Sequence, residues 1–342
     1  MKNFSVKTIA LLMTAVILFS LCSCSFGKEK NSFEKQFFAM DTSVDIQLKG
    51  EDCKETYKQI ESLVSSLESD YLSPTLTTSS VYKVNQNGGG EIDPKIMGYL
   101  LSMVVINNKS GGAFNFCMGR LSELWGFGNE NPVVPSAKKI KELAAACDKG
   151  AIAVDPATRE ITFSNPLLKL DMGAVGKGIA LDEIKSEILS KANVNECVAA
   201  VGGSILLYGK RNFSVGIKDP NGAGYIAVLT LPPCCVSTSG NYERYFEKDG
   251  KKYHHILDPE TGYPVENGLA SVTVISENGT VSDALSTACF VKGINKSAGL
   301  LKEFDCSAVF VTEDKKIYTT KGIADKIEVT DSSYTLVKVN EK

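Results

Sequence analysis

The chain is poor in the residues many active sites are made of: two histidines, His254 and His255, and one tryptophan, Trp125, in 342 residues. A zinc centre would therefore need cysteines, and the ten present show neither ligand spacing nor the compact framework of a disulfide-stapled domain. Cys53, Cys117, Cys147, Cys197, Cys289 and Cys306 fall in or beside apolar or helical stretches and read as buried small hydrophobes. The vicinal Cys234-Cys235 finds no further ligands at metal spacing. Positive charge is also short, with 37 Lys and Arg against 40 Asp and Glu. That balance excludes the basic footprint of a nucleic-acid binder. There is no internal repeat, no Walker loop, because Gly178 follows Lys177, and no dinucleotide fingerprint.

The only long apolar run lies at the start. Lys2 and Lys7 precede residues 9–21, which end in Leu21-Cys22-Ser23-Cys24. A charged beginning, an apolar stretch short for a membrane span, and a small residue before a cysteine resemble a bacterial lipoprotein signal. Residues 1–23 are then a removed signal, Cys24 the lipidated first residue that anchors the protein to the membrane, and 24–34 a tether. A plain N-terminal anchor is the alternative. Both place the folded part outside the cytoplasm. Loss of the leader's two lysines takes the net charge from −3 to −5. Residues 35–330 read as one domain, and 331–342 as a C-terminal tail.

Apolar and polar residues alternate over 37–48 as in a half-buried strand, and Tyr57, Ile60, Val64 and Leu67 recur at helical spacing. Residues 71–87, rich in Ser and Thr, read as a loop or lid. Helices are predicted over 96–107, 135–148 and 281–293. Strands are predicted over 151–154, 160–163, 213–218, 226–231, 271–276, 309–312 and 316–319, and a strand pair interrupted by Gly202-Gly203 over 197–207. Strands come mostly as adjacent pairs, so the predicted class is α+β with largely antiparallel sheets flanked by helices.

Three stretches carry chemistry. Over 168–182 a strand stops at Asp171, glycines 173, 176 and 178 relax the backbone, and a helix follows. Such a turn with Lys177 offers N–H groups and one cation to an anion, phosphate first, though it also suits a packing turn. Asp283 and Thr287 are four apart on one helix face and offer hard oxygens suited to magnesium; a helix cap and a buried hydroxyl are the other reading. The third stretch, 237–264, holds both histidines beyond a hairpin turn at Asp249-Gly250, which makes its flanking segments neighbours. A lone Trp125 reads as a core anchor.

Several motifs occur together and in order: Met40-Asp41-Thr42, Trp125-Gly126-Phe127, Leu170-Asp171-Met172-Gly173-Ala174 with Gly176-Lys177-Gly178 and Asp182, Gly202-Gly203, Thr238-Ser239-Gly240, His255 through Gly262 and Pro264, and Asp283 with Thr287. This series resembles the ApbE family of flavin transferases, over about residues 35–322. The resemblance implies an exported enzyme that requires Mg2+ and takes FAD as substrate. It would move the FMN half to a Ser or Thr of an acceptor flavoprotein and release AMP. A redox subunit held at the same membrane is a plausible acceptor.

By motif, the metal ligands would be Asp283, Thr287 and the Ala174 carbonyl. Gly176, Lys177 and Gly178 would face the pyrophosphate and Asp182 the adenosine end. Met40 and Tyr71 would lie against the rings, and Ser239, Gly240 and Thr261 would also line the cofactor site. His255 would assist proton transfer or position the phosphate, with Asp258, Thr261 and Gly262 holding its turn, while His254 is a strand residue. The chain departs from the family pattern at Asp41, where glycine is usual, at Asn115-Phe116-Cys117-Met118, and at Ser204 after the glycine pair. FAD hydrolysis to FMN and AMP, and a lipid-anchored FAD-binding protein without catalysis, are the alternatives.

Overall fold

The computed structural model describes residues 31–129, 132–147 and 152–338, so the expected signal, Cys24 and nearly all of the tether lie outside the described residues. The single strand expected over 37–48 is in fact a hairpin: β1 (Ser32–Ala39) turns back into antiparallel β2 (Thr42–Gly50). Met40 and Asp41 make the turn at φ 55° and 56°. A two-residue hairpin turn requires such angles and usually recruits Gly or Asn, so Met-Asp hid the break. Within β2 the alternation holds, with Val44, Ile46 and Leu48 buried.

Next come α1 (Cys53–Ser66), prolonged by a π-helical turn over Leu67–Leu72, and α2 (Ser80–Asn87). The predicted loop over 71–87 is thus partly helical. Its apolar positions, Val81 and Val84, are buried, and the Asn85 side chain exchanges two hydrogen bonds with the backbone of Leu170. β3 (Gly89–Glu91), α3 (Pro94–Ser110), α4 (Gly119–Trp125), α5 (Ala137–Ala146), β4 (Ile152–Asp155) and β5 (Glu160–Phe163) follow. Asp93 caps α3 by accepting the Lys95 N–H at 2.9 Å, and Pro94 fills the first helical position, where no N–H is needed.

The second half contains α6 (Gly176–Glu183), continued by a π-helical turn over Ile184–Leu189, then β6 (Val194–Val201), β7 (Ser204–Tyr208), β8 (Phe213–Lys218), β9 (Tyr225–Leu231) and β10 (Cys234–Gly240). After these lie β11 (Tyr245–Lys248), β12 (Lys251–His254), β13 (Leu269–Ser276), α7 (Gly279–Lys292), α8 (Ile294–Glu303), β14 (Ser307–Thr312), β15 (Lys316–Thr319), β16 (Ile327–Val329) and β17 (Thr335–Lys338). The strand expected to end at Asp171 does not form; only an isolated parallel bridge joins Lys169 to Met118. β17 falls in the stretch read as a tail and pairs in parallel with β15.

Nine strands form the main sheet in the order β1-β2-β6-β7-β10-β13-β14-β15-β17, antiparallel except for the last pair. Helices bury one face of it: Ile60, Val64, Leu100, Ile179, Leu285 and Phe290 share a core with Val44, Ile46, Leu206 and Val272. The small sheet β16-β9-β8 is packed by Val215, Ile226 and Leu229 against Val309, Val311 and Ile317. This is the predicted α+β arrangement, with helices and a second sheet layered on one large sheet. A third cluster gathers Met118, Leu121, Trp125, Ile140, Leu143 and Leu257. Among the described residues no helix is long and apolar enough to cross a membrane. The eight described cysteines are buried free thiols.

Candidate active site

Helices α6 and α7 meet at two glycines. A Cβ on Gly178 would lie 2.2 Å from the Gly279 carbonyl oxygen, and one on Gly279 would lie 2.5 Å from the Gly178 carbonyl oxygen. Contact this close brings Asp283 to the α6 backbone, and Gly178 N–H donates to Asp283 Oδ2 at 2.9 Å. A regular helix would send that N–H to the carbonyl of Ala174 four residues back. Among the described residues no hydrogen bond reaches the Ala174 carbonyl, so it keeps its oxygen for another partner.

Asp283 is 2% exposed, and its Oδ1 accepts from Ser204 Oγ at 3.1 Å. Ser204, a departure from the family pattern, thus places its hydroxyl on this carboxylate. Lys177 Nζ lies 3.7 Å from Asp283 Oδ1 and donates to the Gly173 carbonyl at 3.1 Å. Asp283 does not open its helix, contrary to the cap reading: α7 starts at Gly279, and Asn278 caps it by accepting from Val281 N–H at 2.8 Å. One turn on, Thr287 Oγ1 is 3.1 Å from Ser239 Oγ, which is 2.7 Å from Ser286 Oγ.

Three expectations for the anion side change. Gly176 N–H is taken by the Met172 carbonyl at 2.7 Å and Gly178 N–H by Asp283, so neither is free for a phosphate; the Lys177 ammonium remains. Asp182 does not present a free carboxylate to an adenosine. It accepts from Gly279 N–H at 2.6 Å, Thr280 N–H at 2.8 Å and Thr280 Oγ1 at 2.6 Å, tying α6 to the start of α7. Burial raises its pKa, against the pull of those hydrogen bonds. Gly240 is buried, and the Tyr242 ring fills the space of its missing Cβ, 2.5 Å from where that atom would sit. Its smallness serves packing.

Met40 reaches the same turn from the other side. Its Cε would be 3.2 Å from a Cβ on Gly176, and its N–H donates to Glu68 Oε2 at 2.9 Å. Tyr71 sits in the π-helical turn next to Leu72, which also approaches Gly176, and Lys95 Nζ lies 5.9 Å from its ring centroid. Met40 and the residue after Tyr71 thus flank the glycine turn.

The histidine stretch folds as predicted, with β11 and β12 paired across the Asp249-Gly250 turn at φ 53° and 74°. The Arg244 carbonyl accepts from His255 N–H at 3.0 Å and from its Nδ1 at 3.3 Å. A carbonyl only accepts, so Nδ1 carries the proton and Nε2 is left with its lone pair. Burial among surrounding groups, then the positive charge of Arg244, depress the His255 pKa to about 3. His254 is buried as a strand residue, its Nε2 on the Val265 carbonyl at 2.9 Å.

Beyond His255 the chain turns at Asp258, whose carbonyl accepts from Gly262 N–H at 2.7 Å and whose N–H donates to the Tyr263 carbonyl at 2.8 Å. Gly262 adopts φ 75°. Thr261 is exposed and accepts from Tyr263 N–H at 3.3 Å, so it finishes the turn. Trp125, 1% exposed, donates its indole N–H to the Gly262 carbonyl at 2.9 Å, the anchor its isolation suggested. Asn115, a departure from the family pattern, bridges Cys147 and Cys117 backbone groups at 2.7 and 2.9 Å.

Sequence reasoning missed Glu243. Its Oε1 would be 3.2 Å from a Cβ on Gly203, and Lys177 and Asp283 are its strongest charged influences. The side chain is exposed to solvent. Desolvation by surrounding groups raises its pKa, with Lys177 pulling it back. A lone Glu at the mouth of a hairpin carries no local pattern that could have announced it.

No cluster of three or more His, Cys, Asp or Glu poised for a metal exists among the described residues. A metal here would rely on one carboxylate, Asp283, with the Thr287 hydroxyl, the unused Ala174 carbonyl and substrate oxygens. Hard oxygens with open positions suit magnesium, and the donors present fit it.

Against known proteins, the profile of the ApbE family matches residues 40–310. The chain belongs to the ApbE family. It is 33% identical over 289 residues to the FAD:protein FMN transferase of Treponema pallidum (strain Nichols), covering 78% of this chain and 79% of that one. The FAD:protein FMN transferase of Klebsiella pneumoniae (strain 342) is 35% identical over 228 residues, 66% of this chain and 71% of that one. The crystal structure of the ApbE protein of Thermotoga maritima superposes with a TM-score of 0.79 at 33% identity, covering 85% of this chain and 97% of its own. The apo flavinyl transferase ApbE of Pseudomonas stutzeri gives 0.74 at 25% identity, with coverages of 86% and 97%.

Proposed function

We propose that this member of the ApbE family transfers the FMN half of FAD to a Ser or Thr hydroxyl of an acceptor flavoprotein, forming a phosphoester and releasing AMP. One arrangement carries the reading: the Lys177 ammonium poised between the Gly173 carbonyl and buried Asp283, on a turn whose Ala174 carbonyl is left unused. Asp283, Thr287 and the Ala174 carbonyl would hold magnesium, which when bound neutralises charge on the pyrophosphate. Lys177 leaves the Gly173 carbonyl for the substrate phosphate. Ser204 and Gly178 fix both oxygens of Asp283, so the carboxylate needs no reorganisation when substrate enters. His255 stays neutral and offers the Nε2 lone pair to the incoming hydroxyl.

The lipid on Cys24 would hold the enzyme at the outer side of the membrane, where a membrane-bound redox subunit is a fitting acceptor. Purified protein incubated with FAD, magnesium and a candidate flavoprotein tests the reading. A flavin-labelled acceptor and an equivalent of AMP support it. Free FMN and AMP without labelling would make the enzyme a hydrolase, and intact bound FAD would make it a carrier.

A further inference from the structure

One carboxylate joins the Met40-Asp41 turn to the π-helical turn over Leu67–Leu72. In a two-residue hairpin the strand ladder ends at the flanking pair, here Ala39 and Thr42, so the Met40 N–H finds no partner within it. Glu68 supplies one: its Oε2 accepts that N–H at 2.9 Å, from 28 positions along the chain. A carboxylate on a backbone N–H makes one of the stronger hydrogen bonds. Glu68 is held through its backbone as well, because its carbonyl accepts the Ser73 N–H at 3.1 Å where the π-helical turn ends.

That bond has strain to hold against. Met40 and Asp41 sit at φ 55° and 56°, a region that is costly for residues other than glycine and persists where the surroundings fix it. Fixing the turn fixes the Met40 side chain. Its Cε and the Cδ1 of Leu72 both approach the place of a Cβ on Gly176, to 3.2 and 3.9 Å. Leu72 is buried and Met40 only half-buried, so Met40 keeps apolar surface for a ligand on the turn that carries Lys177. FAD with its pyrophosphate at Lys177 has a ring system to either side, and one of them meets that surface.

We propose that Glu68 is a positioning residue for FAD: by binding the Met40 N–H it keeps the strained turn in place and the Met40 side chain against Gly176, as a preformed apolar wall for one ring of the substrate. It acts through Met40 and touches neither the phosphate nor the reacting atoms. Without the bond the turn holds this geometry for only part of the time, and the apparent affinity for FAD falls by that fraction. The chemical step, once FAD is bound, keeps its groups. This inference rests on the reading that FAD is the substrate.

Titration of the purified protein with FAD, followed by flavin fluorescence, tests it alongside AMP release measured against FAD concentration at saturating magnesium and acceptor. Glu68→Ala removes the hydrogen-bond acceptor and is expected to weaken FAD binding on the order of tenfold. Its KM should rise in step while kcat stays within about twofold of wild type, the mark of a residue that sets binding rather than chemistry. Glu68→Gln keeps an oxygen for the Met40 N–H and should recover most of the affinity. On a Met40→Ala background, Glu68→Ala should add little, because the two losses share one cause. An Ala variant that binds FAD within about twofold of wild type, a Gln variant as weak as Ala, or losses that simply add would each overturn the role. If Glu68→Ala does not fold, Met40→Ala alone replaces it: weakened FAD binding supports the wall, and wild-type binding overturns it. Wild-type protein that binds no FAD would sink the substrate reading, and this inference with it.

Discussion

Trp125 and Gly262, 137 positions apart in the chain, are joined by a hydrogen bond of 2.9 Å from the indole N–H to the glycine carbonyl. The bond ties helix α4 to the turn that follows His255. Aromatic neighbours hold the indole in place, Phe127 stacked at 5.6 Å and Tyr253 at 5.6 Å. Trp125→Phe keeps most of the packing and removes the donor. The buried carbonyl then goes unpaired, and the protein should lose about 1–3 kcal/mol. Urea unfolding measures this. Labelling should slow in parallel, and a variant of unchanged stability would mean the bond is dispensable.

The shared oxygens of Asp283 lead to a prediction about magnesium. Asp283→Asn preserves shape and can still meet Ser204, but it removes the charge a hard cation requires. Labelling activity should fall by about two orders of magnitude or more, on the scale of losing one electrostatic element of a site, and raising magnesium should not restore it. Activity equal to wild type at saturating magnesium would remove Asp283 from the ligand set. Alanine is the poorer test, because the residue lies inside α7 and its loss would strand the Gly178 N–H.

The close contact of α6 and α7 makes Gly178→Ala the most disruptive small change at the site. The added methyl would meet the Gly279 carbonyl oxygen at 2.2 Å and Asp283 Cβ at 2.8 Å, backbone and a short side chain that have nowhere to go. Overpacking of this kind costs about 1–3 kcal/mol or more. The melting temperature should drop and FAD affinity should fall with it. A folded variant with normal binding would show that the helices can separate without loss.

The depressed pKa of His255, about 3, gives a pH prediction with a definite sign. Unfolded, the ring takes up a proton near its ordinary value of about 6.5; folded, it resists until about 3. Between those values the unfolded state binds more protons, so stability rises with pH. The contribution is complete above about 6.5 and is lost as the pH falls through the window. Wild type should lose more stability between pH 7 and pH 4.5 than His255→Asn, and the His255 ring resonances should not titrate above pH 5. A ring that titrates near 6.5 would put it in open water.

Much of this was legible in the residues, because periodicity reports burial on one face. Val44, Ile46 and Leu48 announced β2, Ile60 and Val64 announced α1, and Asp249-Gly250 announced the hairpin that brings Arg244 to His255. What escaped was fixed by distant contact or by residues with no marker. Met40 and Asp41 turn the chain at positive φ without a glycine, and α2 forms in a Ser-rich stretch because Val81 and Val84 find a core and Asn85 finds Leu170. The roles of Gly178 and Asp182 depend on α7, about a hundred residues away, and no local pattern near 178 mentions it.

Gly178 lying on Gly279, with Asp182 clasping the first turn of α7, has a mechanical meaning as well. The backbone that carries Lys177 and the carboxylate of Asp283 belong to one packed block, tied at Gly178 and Asp182. Under the transferase reading, any adjustment to an acceptor would fall to the segments outside that block, such as the β11–β12 hairpin.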